Sequence, residues 1–372
     1  MYDAVIIGSS PVSLLEAIHL AETGRKVRLI ERESSLGGAW GLHDCLGLSA
    51  VEISPHTFVP DPVVHEIIAR KFKVDLEIVD PPPTYCYWDS DNGSSPAQEF
   101  PLHNVLAERV RDLFYRARRA RREQGSKRET IMLPLDLLLN FRQLRGYTRL
   151  PIVYPKGGLV RLLENAAKIL DDLGVDVSCG EDGKRIDWRS GREGHFVVNT
   201  SLGEIQARQV SLPRIIHLDG FGYDGIDVPA YFLDNHSTHF VFKSRTATKG
   251  QLRFLKVTGS PYFELINDVT PYCVGNLSSD ERVISCRCVR SMVFDERDID
   301  KYLDHLRELD YLPKGDSLLE FQVNQAEDRV LAYYMHRRLE RLFGDKLVFL
   351  GAHDGHITNA IKEFNATRWN FV

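Results

Sequence analysis

The first thirty or so residues alternate between two kinds of hydrophobic pattern. A continuous apolar run at 4–7 is typical of a strand buried on both faces, and apolar residues at helical spacing follow at 14–21. Gly24 stands where a helix commonly ends, and a second apolar run at 27–30 leads directly into Glu31. This order predicts a strand, a turn, a helix and a second strand.

The turn after the first strand, Gly8-Ser9-Ser10-Pro11, is placed to bind phosphate. Such a turn aims N–H groups and the positive helix end at a dinucleotide pyrophosphate, while an acid about 20 residues later accepts bonds from ribose hydroxyls. Glu31 has that position, but Ser10 and Ser13 replace the second and third glycine of the fingerprint. We predict a Rossmann unit in which the Ser10 hydroxyl either obstructs the pyrophosphate or bonds to it. A unit that keeps the fold without the ligand is the alternative.

Composition narrows the class of protein. The chain has 372 residues, 43% hydrophobic and 27% charged, which predicts a globular protein of two interleaved domains. A net charge of −5 argues against a nucleic-acid binder, and no apolar run is long enough for a membrane span. The chain opens on a strand pattern rather than a signal peptide, so we expect a cytoplasmic protein.

The six cysteines carry little functional information. None forms a CxxC pair, and a cytoplasmic location disfavours disulfides. Cys286 and Cys288 point to the same face of a predicted strand at 282–289, where packing is favoured over a metal or redox role.

Further motifs, taken together, resemble one group of flavoproteins. In chain order they are Gly37-Gly38, Ser54-Pro55-His56-Thr57-Phe58, Pro155-Lys156-Gly157-Gly158, Leu347–Gly351 and Asn359-Ala360-Ile361. Over nearly its whole length the chain resembles FAD-dependent amine oxidases and UDP-galactopyranose mutases. The resemblance implies an α/β fold, with an FAD-type Rossmann (GR2-like) domain and an interleaved α+β substrate domain. The domain boundaries that we predict are 1–60, 175–215 and 336–372 for the former, and 61–174 and 216–335 for the latter.

The same resemblance implies a set of cofactor and catalytic residues. The predicted FAD-binding residues are Gly8, Ser9, Ser10, Pro11, Glu31, Gly37, Gly38, Gly351 and Asn359. His56 would lie beside the flavin with His353 and His356, and imidazoles move protons near neutral pH, so these three are the catalytic candidates. Asp354 would orient one of them, and a zinc site there is a less favoured alternative. NAD(P) is the alternative cofactor, because Glu31 suits NAD equally well.

Substrate contacts are predicted at Tyr262, Asp268 and Tyr272. The segment Pro261-Tyr262-Phe263-Glu264 resembles the mutase segment Pro-Tyr-Thr-Arg, but Glu264 replaces the arginine that binds the substrate diphosphate in that family. Two functions therefore stay open. One is a flavin-dependent oxidoreductase or flavin-assisted isomerase acting on a small molecule such as a nucleotide sugar. The other is a flavin-free homologue that binds a ligand or serves as an accessory protein in a biosynthetic complex.

An insertion at 60–170 combines an apolar stripe at 102–117 with a strongly basic stretch at 116–128. The basic stretch would attract a phosphorylated substrate, an anionic surface or an acidic protein partner. A solvated helix end with cations near its negative terminus explains the same residues equally well.

Overall fold

The computed structural model describes residues 1–54, 56–80, 82–89, 93–96, 151–191, 193–213, 216–230, 232–245, 253–289, 295–309, 311–312, 318–331, 333–351 and 357–369. The basic stretch 116–128 lies outside the described residues, and so do His353, Asp354 and His356.

The described part of the chain contains six α-helices and twenty strands. The helices are α1 (Pro11–Glu22), α2 (Pro62–Phe72), α3 (Gly158–Asp172), α4 (Ile299–Glu308), α5 (Tyr333–Phe343) and α6 (Ile357–Arg368). The first ten strands are β1 (Tyr2–Ile7), β2 (Val27–Glu31), β3 (His43–Cys45), β4 (Leu48–Val51), β5 (Leu76–Ile78), β6 (Thr84–Asp89), β7 (Gly93–Pro96), β8 (Val153–Pro155), β9 (Asp176–Cys179) and β10 (Gly183–Arg189). The others are β11 (His195–Thr200), β12 (Gly203–Pro213), β13 (Gly220–Tyr223), β14 (Ile226–Val228), β15 (Phe232–Arg245), β16 (Arg253–Thr258), β17 (Phe263–Asp268), β18 (Glu281–Cys288), β19 (Leu318–Leu331) and β20 (Leu347–Leu350).

The predicted opening unit is confirmed as β1, α1 and β2. Ser10 caps the N-terminus of α1, Pro11 opens the helix, and Gly24 follows its end with a φ of +79°. Both faces of β1 are buried, since Ala4 and Ile6 join one hydrophobic cluster while Val5 and Ile7 join another. A strand covered on both faces explains why the apolar run at 4–7 is continuous.

The first large sheet has a parallel centre. The strands β20, β12, β1, β2 and β9 lie side by side in that order, all parallel. The first half of β12 pairs with β11, which continues the sheet through β10, β13 and β14. Helix α1 packs on one face of this sheet and α5 on the other. The carboxyl ends of β1 and β2 therefore meet at one edge, as in other Rossmann sheets.

The second large sheet has seven strands in the order β19, β15, β18, β17, β16, β6 and β7. One face packs against α4 through Phe240, Ile284 and Tyr302. The opposite face, which includes Val241 and Val283, packs against residues 45–53, which follow the first two strands of the first sheet along the chain. This antiparallel sheet and the parallel centre of the first confirm the predicted α/β fold.

The segment 51–58 joins the two sheets. Ser285 on β18 of the second sheet donates to the carbonyl of Ile53, and the Phe58 side chain packs in the hydrophobic cluster that covers one face of the first sheet. The backbone of Phe58 also exchanges two hydrogen bonds of 2.9 Å with Val153 on β8. Segment 51–58 thereby holds His56 at the boundary between the Rossmann sheet and the second sheet.

All six cysteines are free thiols, and Cys286 and Cys288 are buried together on the α4 side of the second sheet. Among the helices that the structure describes, none is long and apolar enough to cross a membrane.

Candidate functional site

Three hydrogen bonds inside the chain converge on the Glu31 carboxylate. Oε2 accepts from Ser9 N at 2.8 Å and from Ser9 Oγ at 2.5 Å, and Oε1 accepts from Glu33 N at 2.9 Å. Ser9 Oγ in turn accepts from Gly37 N at 2.8 Å. We call Ser9, Ser10, Glu31, Gly37 and Gly38 the nucleotide cradle, since they occupy the end of β1 and β2 where a Rossmann unit binds its nucleotide.

The Ser10 hydroxyl points along helix α1. It accepts from Ser13 N at 3.3 Å and lies 2.9 Å from Ser13 Oγ, while the Ser10 carbonyl accepts from Leu14 N at 2.9 Å. Pro11 has no N–H to offer. Of the first four helical residues, only Val12 keeps an N–H outside these bonds, so the helix itself uses most of the donors that a pyrophosphate would need.

Gly37 and Gly38 bring the backbone close to the cradle. Both have positive φ values, +128° and +57°. A Cβ on Gly37 would lie 2.8 Å from Gly41 Cα, which is a clash, whereas one on Gly38 would lie 3.4 Å from Ser10 N and 3.6 Å from Glu31 Oε2. Gly37 is therefore required by its φ and by this close approach, and Gly38 by its φ.

The cradle continues into an aromatic stack. Trp40 follows the paired glycine, and its ring stacks on His56 with centroids 4.7 Å apart and planes 19° apart. Burial, with smaller contributions from Arg287 and His239, lowers the pKa of His56 to about 3. The imidazole is thus neutral at neutral pH. Its buried Nδ1 has no hydrogen-bond partner among the described residues.

A polar row crosses the second sheet beside His56. His239 on β15 is the register partner of Arg287 on β18, and Arg287 Nε lies 2.5 Å from Glu264 Oε1 on β17. The pairing of β17 with β18 shifts register between Phe263 and Leu265, which places Glu264 in a β-bulge. We call His56, His239, Glu264 and Arg287 the sheet-face cluster.

His239 resembles His56 in its environment. Only 7% of the residue is exposed, and its Nδ1 lacks a hydrogen-bond partner within the part of the chain that is described. Burial, and then the positive charge of Arg287, lowers its pKa to about 4, although it also hydrogen-bonds the backbone of Ile53. The cluster therefore contains two neutral imidazoles, each with a buried ring nitrogen that has no partner among the described residues.

Glu52 is a second buried acid, close in sequence to His56. Its Oε1 accepts from Leu159 N at 2.9 Å at the start of α3, while Oε2 has no partner among the described residues. Burial raises its pKa to about 8. Gly158 also belongs to this helix start, and a Cβ there would lie 2.8 Å from the Tyr272 ring.

The three predicted substrate residues are not brought together. Tyr262 packs on the α4 side of the second sheet, 5.1 Å from the ring of Tyr302, whereas Tyr272 packs on the opposite side, 4.9 Å from Tyr154. Asp268 is 3% exposed and accepts from Thr270 Oγ1 at 2.6 Å. Their contact with a substrate stays a prediction.

The C-terminal motif brings the end of β20 and the start of α6 toward the site. Gly351 ends β20 with a φ of +111°, and Asn359 lies exposed in the first turn of α6. Thr358 Oγ1 accepts from Val59 N at 2.9 Å, which holds the start of α6 beside the segment of His56. In the ranges that the structure describes, no group of three or more His, Cys, Asp or Glu side chains is arranged to hold a metal ion.

Four residues of the candidate site escaped the sequence interpretation. They are Trp40, Glu52, His239 and Arg287. The available signal was a polar residue inside an apolar strand, as in His239-Phe240-Val241-Phe242, which indicates a buried polar side chain. The pairing of His239 with Arg287 depends on strand register, which this signal does not contain.

Comparisons with known proteins identify the fold. No protein-family profile and no curated protein sequence matches the chain. A putrescine oxidase structure with bound putrescine matches with a TM-score of 0.62 and 14% identity, covering 99% of this chain and 98% of that one. A protoporphyrinogen oxidase-like protein from Exiguobacterium matches at 0.59 and 13%, covering 99% of each chain. Cyclohexylamine oxidase from Brevibacterium oxydans matches at 0.59 and 11%, covering 97% and 96%.

These similarities confirm the predicted resemblance to FAD-dependent amine oxidases at the level of the fold. At 11–14% identity the likeness concerns the fold alone.

Proposed function

We propose that this chain is a flavin-dependent oxidoreductase that binds FAD between the nucleotide cradle and the sheet-face cluster. The observation that carries the proposal is a pair of buried nitrogens, His56 Nδ1 and His239 Nδ1, which have no hydrogen-bond partner among the described residues. They are connected to Glu31 through Ser9, the paired glycine and Trp40. A buried polar atom without a partner costs about 1–3 kcal/mol, so a ligand that hydrogen-bonds these nitrogens would be favoured.

The residues of the cradle fit the adenosine half of FAD. Glu31 stands at the end of β2 for a ribose, and the paired glycine allows a close backbone approach. For a pyrophosphate to accept from Ser13 N, the Ser10 hydroxyl must rotate about χ1 away from that N–H. Neither Glu31 nor the glycines need to move for this change.

When bound, FAD would accept two electrons from the substrate. The chain's own residues would bind and orient the reactants. The stacked rings of Trp40 and His56 would line one side of the site, and the neutral imidazoles of His56 and His239 would hydrogen-bond the ligand without adding charge. Arg287 and Glu264 supply one positive and one negative group within a single ion pair.

A small amine is the substrate class that we favour. Two proteins of the same fold are a putrescine oxidase, bound to putrescine, and a cyclohexylamine oxidase. The half-buried Glu264 carboxylate suits an ammonium group. An amine that takes up this carboxylate would compete with Arg287 for it.

A nucleotide sugar is the second substrate class, acted on by flavin-dependent oxidation or isomerisation. The ion pair with Arg287 favours it, because Glu264 alone would repel a diphosphate and Arg287 compensates that charge. A flavin-free binding or accessory protein is the second functional class, favoured by the Ser10 cap and by Pro11 at the helix start.

The first test is the visible spectrum of the purified chain, recorded before and after FAD is added and the excess removed. Flavin bands that travel with the protein support the proposal, whereas a colourless protein that ignores FAD supports the flavin-free class. The loaded protein is then mixed anaerobically with putrescine, cyclohexylamine or UDP-galactose while the flavin band is followed.

We expect the amines to bleach the flavin band. Glu264→Gln should slow bleaching by amines, while Arg287→Gln should leave it in place. For a nucleotide sugar, we expect Arg287→Gln to slow product formation in the reduced protein and Glu264→Gln to leave it in place.

A further inference from the structure

The hydrogen bonds that the Glu31 carboxylate accepts within the chain leave few of its acceptor positions open to a ligand. Its two oxygens together offer about four acceptor positions, two on each oxygen. Ser9 N and Ser9 Oγ fill both positions on Oε2, and Glu33 N fills one on Oε1. One position is left, and it belongs to Oε1.

A ribose presents two neighbouring hydroxyls, 2′ and 3′, to such an acid. A bidentate contact needs one open position on each carboxylate oxygen, and here Oε2 has none. We propose that Ser9 is a specificity-determining residue that restricts Glu31 to a single ribose hydroxyl of an adenine nucleotide. The inference rests on the proposed function insofar as the ligand carries an adenosine diphosphate group.

Ser9 is held in this position by more than Glu31. The residue is fully buried, and its hydroxyl also accepts from Gly37 N. A ribose hydroxyl that displaced Ser9 Oγ would therefore break its bond to Glu31 and disturb the one that positions the paired glycine. Because Ser9 N bonds to Oε2 independently, Ser9→Ala opens one position on Oε2 and keeps the backbone contact.

The test compares the binding of ADP, 2′-deoxy-ADP and 3′-deoxy-ADP by calorimetry. In the wild-type chain we expect one deoxy analogue to bind within about twofold of ADP and the other to lose roughly tenfold, the cost of a hydrogen bond to a charged group. In Ser9→Ala we expect ADP to bind roughly tenfold more tightly and both deoxy analogues to lose affinity relative to it.

Ser211→Ala is the matched control, because Ser211 is equally buried and its hydroxyl contacts Glu16 rather than Glu31. It should keep the wild-type pattern among the three nucleotides. If Ser9→Ala fails to fold, as judged by thermal unfolding, the wild-type series alone decides.

A wild-type chain that loses affinity for both deoxy analogues, or for neither, overturns the inference. So does the absence of ADP binding in both proteins, whereas binding that appears only in Ser9→Ala supports it. FAD-dependent turnover without the predicted selectivity would remove the inference and leave the proposed function. If the chain shows the predicted selectivity but never retains flavin, the inference stands and the proposed function is wrong.

Discussion

Glu31 and Glu52 are both almost fully buried, at 4% and 3% exposure, but their surroundings differ. Three donors converge on Glu31 in the cradle, whereas Glu52 beside the second sheet accepts one hydrogen bond. The Glu31 carboxylate accepts three hydrogen bonds from within the chain, so only about one of its acceptor positions is left open. The region around segment 51–58 instead leaves buried polar atoms without partners in the described structure: Glu52 Oε2, His56 Nδ1 and His239 Nδ1.

The difference indicates where a ligand would add most to stability. A saturated region is ordered before a ligand arrives, and a ligand there must compete with internal hydrogen bonds. An undersatisfied region gains the free energy of each new bond. Four substitutions test whether the two regions differ in this way.

The largest effect is expected for Glu31→Ala. The substitution leaves two buried donors on Ser9 and one partly buried donor on Glu33 without their acceptor, so we expect the free energy of unfolding to fall by about 4 kcal/mol. Denaturant unfolding measures this. Glu33→Ala is the control, because only its backbone N–H bonds to Glu31, and it should change stability by less than about 0.5 kcal/mol. Equal effects of the two would contradict the saturated cradle.

The next effect is the pH dependence that Glu52 produces. Its pKa is about 8 in the folded chain against an ordinary value of 4.5. Between these values the folded state keeps a proton that the unfolded chain has released, so the free energy of unfolding falls as pH rises, by roughly 3 to 4 kcal/mol between pH 5 and pH 8. Glu52→Gln should flatten this slope in unfolding measured from pH 5 to pH 8. Glu66→Gln, on the surface of α2, should leave it unchanged.

A smaller effect of opposite sign is expected for His239. Its pKa of about 4 lies below the ordinary value of 6.5. As pH falls through that interval the unfolded chain binds a proton and the folded chain does not, so stability is lost, by roughly 3 kcal/mol. His239→Gln should reduce this loss of stability at acidic pH, whereas His65→Gln, at an exposed position, should not. If His239→Gln leaves the loss of stability at acidic pH unchanged, His239 does not belong to the undersatisfied region.

The smallest effect concerns Ser10 in the cradle. Ser10→Ala removes a helix cap and should cost about 1 kcal/mol, whereas Ser10→Gly should cost only a few tenths. Ser10→Gly should nevertheless raise FAD affinity, because Ser13 N becomes free for a phosphate. Weaker or unchanged binding, titrated by flavin fluorescence, would mean that the hydroxyl bonds to the phosphate instead.

The parts of this site that sequence reasoning reached have local signals. The strand, turn and helix at 2–22 follow from contiguous hydrophobic patterns, and Glu31 follows from its distance to the glycine turn. Ser10 was undecided between obstructing a phosphate and bonding to it, and in the structure its hydroxyl caps α1. That outcome depends on one side-chain rotation, which no pattern specifies.

The rest of the site depends on contacts between distant positions. The Glu52 carboxyl accepts a hydrogen bond from Leu159 N, a residue distant in the sequence. His239 faces Arg287 because β15 and β18 pair in one register. Tyr262 and Tyr272 looked equivalent in the sequence, but they lie on opposite sides of the second sheet. A shift of one residue in a strand exchanges its two faces, so such assignments require the register itself.

The arrangement of the parallel strands also sets an order of events during synthesis. Tyr2 pairs with Ala207, and β12 in turn pairs with β20 near residue 350. As the chain leaves the ribosome, one edge of β1 has no partner strand until β12 is made, more than half a chain later. Contacts of such long sequence separation form slowly and leave apolar strand edges exposed meanwhile. A chain cut before β20 would leave the edge of β12 that pairs with β20 exposed in the same way.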